Sequence, residues 1–326
     1  MADFAAAVCT ALDGPGAVEV LRVERTPLRP GDLRLRVAAA GVNFPDLLMT
    51  RGAYQLRPEP PFTPGMEVAG EVIEVGPESR AALGDQVCAS TRLGGFAEEV
   101  TVPGSAIKPW PNGFSAPEAA AFYVAGLTAW HALVDRAVLK AGERLLVLGA
   151  GGGVGLAAVQ LGRALGAEVV AAARSNARLD AAGRAGASSL VDLIAGPLRA
   201  SVEAACGKRT VDVVLDPVGG SLAREAAGCL TWGGRYLIVG FASGEIPTLA
   251  FNQLLLAGYS VLGVRAGEHA RRNPDAARTS LTALLALAGE SDLKPVVGLQ
   301  LPLSRVADAL AALDRGEVVG KAVLVT

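Results

Sequence analysis

A glycine-rich turn between a buried strand and a helix is the feature that most restricts the fold of this chain. Four apolar residues at 145–148 lead into Gly149-Ala150-Gly151-Gly152-Gly153-Val154-Gly155, and a helical pattern continues to about residue 166. A second strand is predicted at 168–173, which closes a strand–helix–strand unit. Backbone without side chains can approach a pyrophosphate, whose charge is stabilised at the helix N-terminus. We therefore expect residues 151–155 (Gly151, Gly152, Gly153, Val154 and Gly155) to bind a dinucleotide; a tight turn without a ligand is the alternative.

The end of the second strand predicts which dinucleotide is bound. An acidic residue at this position would hydrogen-bond the ribose of NAD and repel a 2′-phosphate. The sequence instead continues Arg174-Ser175-Asn176-Ala177-Arg178. Arg174 can bind a phosphate in a bidentate manner, Ser175 can donate its hydroxyl, and Arg178 adds a second positive charge. We expect NADPH as the cofactor; the alternative is two solvated arginines at the entry to a helix.

The chain has the length and pattern of two domains. Its 326 residues correspond to about two domains of ordinary size. The first hundred residues show β patterns, and a capping box at 115–118 then begins a helix that runs to about 137. From 144 to 264 strands alternate with helices, and a charged loop, two further helices and strands at 296–300 and 321–325 follow. We expect an α/β fold with a parallel sheet wound on both faces, and a last strand that returns to the N-terminal β domain.

Composition excludes several classes of function. The net charge of −2 provides no basic field for nucleic acid or anionic lipid. The N-terminal segment lacks the basic region of a secretory signal, and the longest apolar stretch, 119–134, is shorter than the roughly 20 residues of a membrane span. Four cysteines at 9, 88, 206 and 229 lack the spacing of a disulfide framework or a cysteine zinc cluster. We expect a soluble, cytoplasmic protein.

Motifs along the whole chain resemble those of the medium-chain dehydrogenase/reductase superfamily. They are Gly65-Met66-Glu67-Val68-Ala69-Gly70-Glu71-Val72, the turn at 84–87, Gly94-Gly95-Phe96-Ala97-Glu98, the glycine-rich turn and Asp216-Pro217-Val218-Gly219-Gly220. The zinc-free quinone oxidoreductase branch, with the zeta-crystallin-like proteins, is the most similar. This resemblance implies a GroES-like β domain at 1–117, completed by 267–326, and a Rossmann NADP-binding domain at 118–266. It also implies a homodimer, for which the apolar segment 254–264 at the edge of the Rossmann sheet is the candidate interface.

The zinc ligands of the alcohol dehydrogenases in this superfamily are missing from the sequence. Those enzymes carry a histidine where this chain has Met66 and a cysteine where it has Asn43, and neither methionine nor a carboxamide replaces those ligands. The cysteine-rich lobe for structural zinc is reduced to Cys88. His131 and His269 are far apart in sequence and have no evident ligand partner. We expect no metal site.

The segment 41–54 is the candidate substrate pocket. In the resembled family the residues matching Asn43 and Asp46 line the nicotinamide pocket, and related enoyl-thioester reductases have a proton-donating tyrosine at the position of Tyr54. A phenol can protonate the enolate left by hydride addition, or hydrogen-bond a quinone carbonyl. The structural alternatives are a turn cap for Asn43, a helix cap for Asp46 and loop packing for Tyr54. Leu48 stands where some quinone reductases have a second tyrosine.

Five further residues match positions around the cofactor in this family. They are Thr128 on the helix expected near the nicotinamide, Phe241 and Ser243 after a strand, Val264 at the end of the last Rossmann strand, and Lys321 at the start of the final strand. Helix packing for Thr128, a loop hydrophobe for Phe241 and a surface charge for Lys321 are the alternatives. Leu193 stands where some relatives have a tyrosine near the adenosine.

The resemblance and these residues together predict hydride transfer from NADPH to a quinone. Reduction of the C=C bond of an α,β-unsaturated ketone or acyl thioester is the alternative enzymatic function, because it needs the same cofactor geometry and Tyr54 suits both. A non-enzymatic, NADPH-binding structural or RNA-binding protein is the alternative of another class. The net charge disfavours RNA, and the complete cofactor motif disfavours a purely structural role.

Overall fold

The computed structural model describes residues 3–79 and 81–326, and the chain divides into two compact units. Unit 1 comprises the chain up to Val124 together with Pro295–Thr326, and unit 2 comprises Ala125–Lys294. The expected limits were 117/118 and 266/267. The observed limits lie further along the chain because one helix, Ala116–Trp130, continues through the first division, and the helix Pro274–Glu290 belongs to unit 2.

The elements alternate between strands and helices throughout unit 2 and are mostly strands in unit 1. The strands are β1 Asp3–Cys9, β2 Val18–Glu24, β3 Asp32–Val42, β4 Glu67–Val75, β5 Gln86–Ser90, β6 Glu99–Pro103, β7 Ile107–Pro109, β8 Arg144–Leu148, β9 Glu168–Ala173, β10 Ser189–Asp192, β11 Val211–Asp216, β12 Leu230–Ile238, β13 Ser260–Gly263, β14 Val297–Pro302 and β15 Lys321–Val325. The helices are α1 Phe44–Met49, α2 Ala116–Trp130, α3 Gly153–Ala164, α4 Asn176–Ala185, α5 Leu198–Cys206, α6 Leu222–Gly228, α7 Phe251–Ala257, α8 Ala266–Arg272, α9 Pro274–Glu290 and α10 Val306–Asp314. A π-helical turn, His131–Arg136, continues α2.

Unit 2 is built on a six-stranded parallel sheet. Its strand order is β10-β9-β8-β11-β12-β13, so the chain starts in the middle at β8, builds outward to β10, and then continues on the other side from β11. The central strands are buried on both faces, as their uninterrupted apolar sequences require. This reversal of strand order leaves a crevice at the carboxyl ends of β8 and β11, where open α/β sheets bind ligands. The α/β class expected from the sequence is confirmed.

Unit 1 is a β structure with few helices. Its larger sheet has the order β14-β15-β3-β4-β5-β7, with β6 also paired to β3, and β1 and β2 form a separate antiparallel pair. The last strand, β15, pairs antiparallel with β3, with Val323 opposite Gly41. The hydrophobic core between the sheets includes Leu33, Phe96 and Leu310, all almost fully buried. The C-terminal strand therefore completes the N-terminal sheet.

Two segments differ from the sequence-based expectation. The charged loop expected after Gly267 is part of helix α8, because Glu268 forms ion pairs with Arg271 and Arg272 one turn further on. The apolar segment 254–264 was expected to be an edge strand, but its first residues belong to α7. Gly258, with φ of 65°, ends that helix, and only Ser260–Gly263 forms the edge strand. Across residues 3–79 and 81–326, no helix has the length and apolar character to cross a membrane.

Candidate active site

The glycine-rich turn joins β8 to α3 with little space for side chains. Gly149 has φ of 59°, and Gly152 is the N-cap of α3. A Cβ at Gly155 would lie 2.3 Å from the carbonyl oxygen of Gly149, so the helix approaches the end of the strand too closely for any side chain. A Cβ at Gly151 would lie 2.4 Å from Cβ of Arg178. Glycine is therefore required at 151 and 155.

The first turn of α3 forms a cradle for an anion. It consists of Gly153, Val154, Gly155 and Leu156, and the Leu156 N–H donates to the carbonyl of Gly152 at 2.8 Å. The N–H groups of the three residues before it and the positive end of the helix dipole face the turn without an acidic side chain between them. The turn lies at the carboxyl end of β8, in the crevice made by the reversal of strand order. All five glycine-turn residues predicted from the sequence are brought together here, and the cradle fits the pyrophosphate of a dinucleotide.

Two arginines stand next to this cradle. β9 ends at Ala173, Arg174 and Ser175 are exposed, and Ser175 is the N-cap of α4. Arg178, on the first turn of α4, is half-buried and packs against Gly151. Burial lowers the pKa of Arg178, and the nearby positive charge of Arg174 lowers it further. The structure thus places two cations beside the glycine-rich turn, where an anion would relieve their repulsion.

Phe241, Ser243 and Val264 lie at the same edge of the parallel sheet. Phe241 and Ser243 belong to the loop after β12, and they lie against Gly219 and Gly220 in the loop after β11. The φ angles of these two glycines, 69° and 65°, allow the loop after β11 to turn close to Phe241 and Ser243. The Ser243 N–H donates to the carbonyl of Val218 at 2.9 Å.

Val264 and Thr128 also belong to unit 2. Val264 is buried after β13, where its N–H donates to the carbonyl of Ile238 at 2.8 Å. Thr128 is half-buried on α2.

Unit 1 contains a buried polar cluster that joins Asn43, Glu67 and Lys321. The Lys321 ammonium donates to Oδ1 of Asn43 at 2.5 Å and to Oε1 of Glu67 at 2.7 Å. The Asn43 amide donates to the same Glu67 oxygen at 3.0 Å, and the second Glu67 oxygen accepts the N–H of Val124 at 3.0 Å. All three residues are buried. Lys321 is therefore buried and paired, which excludes the surface-charge alternative.

Glu67 is the residue of this cluster that sequence reasoning did not select. Its sequence signal is an acidic residue at the start of a strand, directly after Met66, but Glu71 and Glu74 in the same strand make that signal weak. A Cβ at Gly41 would lie 2.5 Å from the Glu67 carboxylate and 2.4 Å from the carbonyl oxygen of Ala120. Gly41 is therefore needed to admit the Glu67 side chain between β3 and α2.

Asp46 holds the start of α1. It is fully buried, with one carboxyl oxygen accepting the N–H of Asn43 at 2.9 Å and the other the N–H of Gly65 at 3.1 Å. Burial raises the pKa of Asp46 to about 7, against the lowering effect of these two N–H groups and of Lys321. This geometry supports the helix-cap interpretation of Asp46 over direct contact with a substrate.

Tyr54 lies in the loop after α1. Its side chain is half-buried and packs against the hydrophobic core of unit 1, and its carbonyl accepts a hydrogen bond from Arg57 at 3.4 Å. The loop position leaves both interpretations of Tyr54 open: a packing residue, or a phenol that hydrogen-bonds an acceptor.

The two histidines are not isolated, contrary to the expectation from their separation in sequence. Their rings stack with centroids 4.3 Å apart, and Nδ1 of His131 lies 2.9 Å from Oδ2 of Asp135. The pairing of α8 with the end of α2 brings them together, and α8 is the helix that the sequence analysis assigned to a loop.

Comparisons with known proteins agree with both units. Residues 29–112 match the alcohol dehydrogenase GroES-like domain, and residues 153–282 match the zinc-binding dehydrogenase family. Quinone oxidoreductase-like protein 2 of Bos taurus is 36% identical over 324 residues, which cover 99% of this chain and 92% of that protein. The GroES-like and Rossmann folds expected from the sequence are confirmed.

Solved structures give the same result. A probable oxidoreductase from Mycobacterium abscessus has a TM-score of 0.90 and 36% identity, over 100% of this chain and 99% of that one. The quinone oxidoreductase from Thermus thermophilus, solved alone and with NADPH, has a TM-score of 0.85 and 37% identity, over 99% of this chain and 100% of that one. The fold and the nucleotide cradle define an NAD(P)-dependent oxidoreductase. The chain belongs to the medium-chain dehydrogenase/reductase superfamily, among its quinone oxidoreductase-like members.

Proposed function

We propose that this protein transfers hydride from NADPH to a quinone or a closely related conjugated carbonyl, without catalytic zinc. The observation that carries the proposal is the pair of arginines beside the nucleotide cradle, with Arg178 packed on Gly151 and Arg174 exposed next to it. The names of the quinone oxidoreductase relatives from Bos taurus and Thermus thermophilus support the class of acceptor.

The arginines favour a cofactor that carries a 2′-phosphate. In unit 2 the pyrophosphate would lie at the N-terminus of α3, and the adenosine ribose would then face the end of β9. There, Arg174 and Arg178 offer charge-assisted hydrogen bonds and Ser175 offers a hydroxyl. Phe241, Ser243, Val264 and Thr128 are proposed to line the rest of the cofactor, because the first three lie at the same edge of the sheet.

The side chains of unit 1 would orient the acceptor. NADPH supplies the hydride when bound, so the protein needs to position the acceptor and stabilise the charge that develops on its oxygen. We assign that hydrogen bond to the Tyr54 hydroxyl, and we assign to Lys321, Asn43 and Glu67 the role of a fixed polar wall of the pocket. Asp46 acts through α1, which it holds in place beside Asn43.

The polar cluster also supports catalysis without zinc. In this superfamily a zinc ion would need ligands at Asn43 and Met66, but the Asn43 carboxamide is already bound to Lys321 and Glu67. The ammonium group supplies the positive charge at this position, and a second cation beside it would be repelled. The residues present therefore do not fit a catalytic zinc ion, and chelators are expected to leave turnover unchanged.

The proposed function is tested by NADPH consumption with a panel of acceptors. Quinones are expected to be reduced fastest, and α,β-unsaturated ketones and acyl thioesters are the alternative substrates. Tyr54→Phe distinguishes a hydrogen bond to the acceptor from a packing role, since the variant keeps the aromatic ring and loses only the hydroxyl. A fall in kcat with an unchanged Kd for NADPH supports the assignment of Tyr54. Turnover with none of the three acceptor classes would contradict the proposed function.

We also propose a homodimer formed through β13 and α7. β13 is an edge strand of the parallel sheet, and three large apolar side chains of α7, Phe251, Leu255 and Leu256, are strongly exposed. Trp232 on β12, whose ring lies beside Gly258, is strongly exposed as well. An unpaired edge strand with exposed apolar groups beside it is suited to pair with a second copy of the chain.

The four cysteines are free thiols, which fits a reducing compartment such as the cytoplasm.

A further inference from the structure

The two histidines of the chain form a cluster with a carboxylate inside unit 2. The sequence contains two histidines in all, and their rings lie face to face with an angle of 26° between the planes. One nitrogen of each ring and one carboxylate oxygen of Asp135 lie within 4.8 Å of one another. The proposed reaction uses none of these three side chains.

Three elements build the cluster. His131 and Asp135 belong to the π-helical turn that continues α2, and His269 comes from α8. The hydroxyl of Ser280, on α9, lies 3.5 Å from Oδ2 of Asp135. Elements distant in sequence therefore direct their polar groups to one point.

We propose that His131, Asp135 and His269 bind a divalent transition-metal ion of the zinc class. Two imidazole nitrogens and one carboxylate oxygen are a ligand set that suits Zn²⁺, Co²⁺ and Ni²⁺, whereas Mg²⁺ and Ca²⁺ prefer oxygen ligands alone. A water molecule or an added ligand completes four-coordinate geometry. The site differs from the zinc position of the superfamily, which corresponds to Asn43 and Met66.

Binding of an ion requires small changes in the distances between the ligand atoms. Ligand atoms around a tetrahedral zinc ion lie about 3.4 Å apart, since each bond is about 2.1 Å long. Nδ1 of His131 and Oδ2 of Asp135 are 2.9 Å apart, so these two atoms must separate slightly and give up their hydrogen bond, whereas any pair near the 4.8 Å limit of the cluster must approach. Side-chain rotations of the half-buried His269 can supply the remaining movement, while the buried His131 serves as the fixed ligand.

The charges around the cluster are compatible with a cation. Nδ1 of the buried His131 already faces the Asp135 carboxylate, so an ion at this point would meet an imidazole and a carboxylate together. Asp135 adds one negative charge. One nearby positive group is Arg136, whose guanidinium donates to the carbonyl of Gly263. Glu268 on α8 forms ion pairs with Arg271 and Arg272 of its own helix.

A bound ion would tie α8 to the end of α2. α8 begins two residues after Val264, just past the edge strand, and its Glu268 forms ion pairs with Arg271 and Arg272 of the same helix. Metal binding to the folded state alone raises the stability of unit 2 by mass action. The ion is thus a structural link, and turnover does not depend on it.

The test uses the full-length, tag-free protein after treatment with a chelator. Zn²⁺ is titrated by calorimetry, and Co²⁺ is titrated in parallel because tetrahedral nitrogen and oxygen ligation gives strong visible absorption. We expect one ion per chain and a rise in Tm with added Zn²⁺. His269→Gln and Asp135→Asn should each weaken binding by at least about tenfold. Arg272→Gln, an exposed change on the same helix, is the matched control and should bind as the wild type does.

Two results would overturn the site. One is the lack of saturable binding of one Zn²⁺ per chain to the wild-type protein. The other is unchanged affinity in folded His269→Gln protein, with the fold verified by circular dichroism. Because Kd for Zn²⁺ and Tm are measured without substrate, failure of this site is distinguishable from failure of the proposed reaction.

Discussion

Lys321 and Glu67 form the charged pair on which the interior of unit 1 most depends. Both side chains are almost fully buried, and Asn43 shares their hydrogen bonds. A buried ion pair adds little stability compared with apolar residues of the same size, but the loss of one partner leaves an uncompensated charge. The same arrangement fixes the Asn43 side chain in the orientation that the proposed pocket requires.

Replacement of the lysine tests this dependence. Lys321→Met is expected to lower the free energy of unfolding by about 3–5 kcal/mol, because the Glu67 carboxylate stays buried without its cation. Urea unfolding followed by circular dichroism measures the change. Arg305→Met, which removes an exposed ion pair with Asp308, is the control and should cost less than about 1 kcal/mol. The double variant Lys321→Met/Glu67→Gln should recover part of this loss of stability. A loss in Lys321→Met as small as that of the Arg305→Met control would contradict the proposed dependence.

Asp46 gives unit 1 a stability that depends on pH. Burial raises its pKa to about 7, so between about pH 4 and 7 the folded state keeps a proton that the unfolded state has released. The free energy of unfolding should therefore fall as pH rises through this window, by up to about 1.4 kcal/mol per pH unit. Unfolding of the wild type and of Asp46→Asn at several pH values measures this contribution, which the variant lacks. Identical slopes for the two proteins would show that Asp46 does not titrate there.

At the scale of elements, the close contact between β8 and α3 shapes the proposed cofactor cradle as a whole. A methyl group at Gly155 would collide with the carbonyl oxygen of Gly149, and α3 would have to move away from the turn. Gly155→Ala is therefore expected to weaken NADPH and NADH by similar factors, because both carry the pyrophosphate. Fluorescence titration with the two cofactors measures this. An effect on NADPH alone would mean that the turn does not hold the pyrophosphate.

The exposed faces of α7 and β13 predict the oligomeric state. Light scattering should report twice the mass of one chain at micromolar concentration. Leu255→Glu, at a side chain that is 78% exposed, should shift the protein to monomers by placing a charge in the interface. Leu190→Glu, on the other edge strand at a side chain that is 46% exposed, is the matched control and should leave the mass unchanged. A wild-type monomer would contradict the proposed dimer.

The elements that sequence alone could predict are those with local signals. The bounds of β8 and β9 match the expected 144–148 and 168–173, because apolar runs and the glycine turn define them. α7 was missed because its apolar run, Leu254-Leu255-Leu256, has no polar face that would show a helical period. α8 was missed because its charged residues are typical of a loop, and they stabilise a helix only through ion pairs three and four residues apart.

At the scale of the whole molecule, the parts of the site that could not be predicted are those that depend on long-range packing. The pairing of Lys321 with Glu67 joins the last strand to β4, and the stacking of His131 on His269 joins α8 to the end of α2. No local pattern shows which residue is the partner in such a pair. The glycine-rich turn, by contrast, lies within one continuous segment, so a sequence pattern can identify the whole of the proposed cofactor cradle.

The central claim is that Arg174 and Arg178 select NADPH, and the affinity of Arg174→Ala for the two cofactors tests it most directly. A charge-assisted hydrogen bond contributes about 1.5–3 kcal/mol, so the variant should bind NADPH roughly ten- to hundredfold more weakly and NADH almost as the wild type does. Arg184→Ala, an exposed change at the other end of α4, is the control and should alter neither Kd. Fluorescence titration gives all the constants. Equal losses for the two cofactors in Arg174→Ala, or a wild-type preference for NADH, would contradict the account.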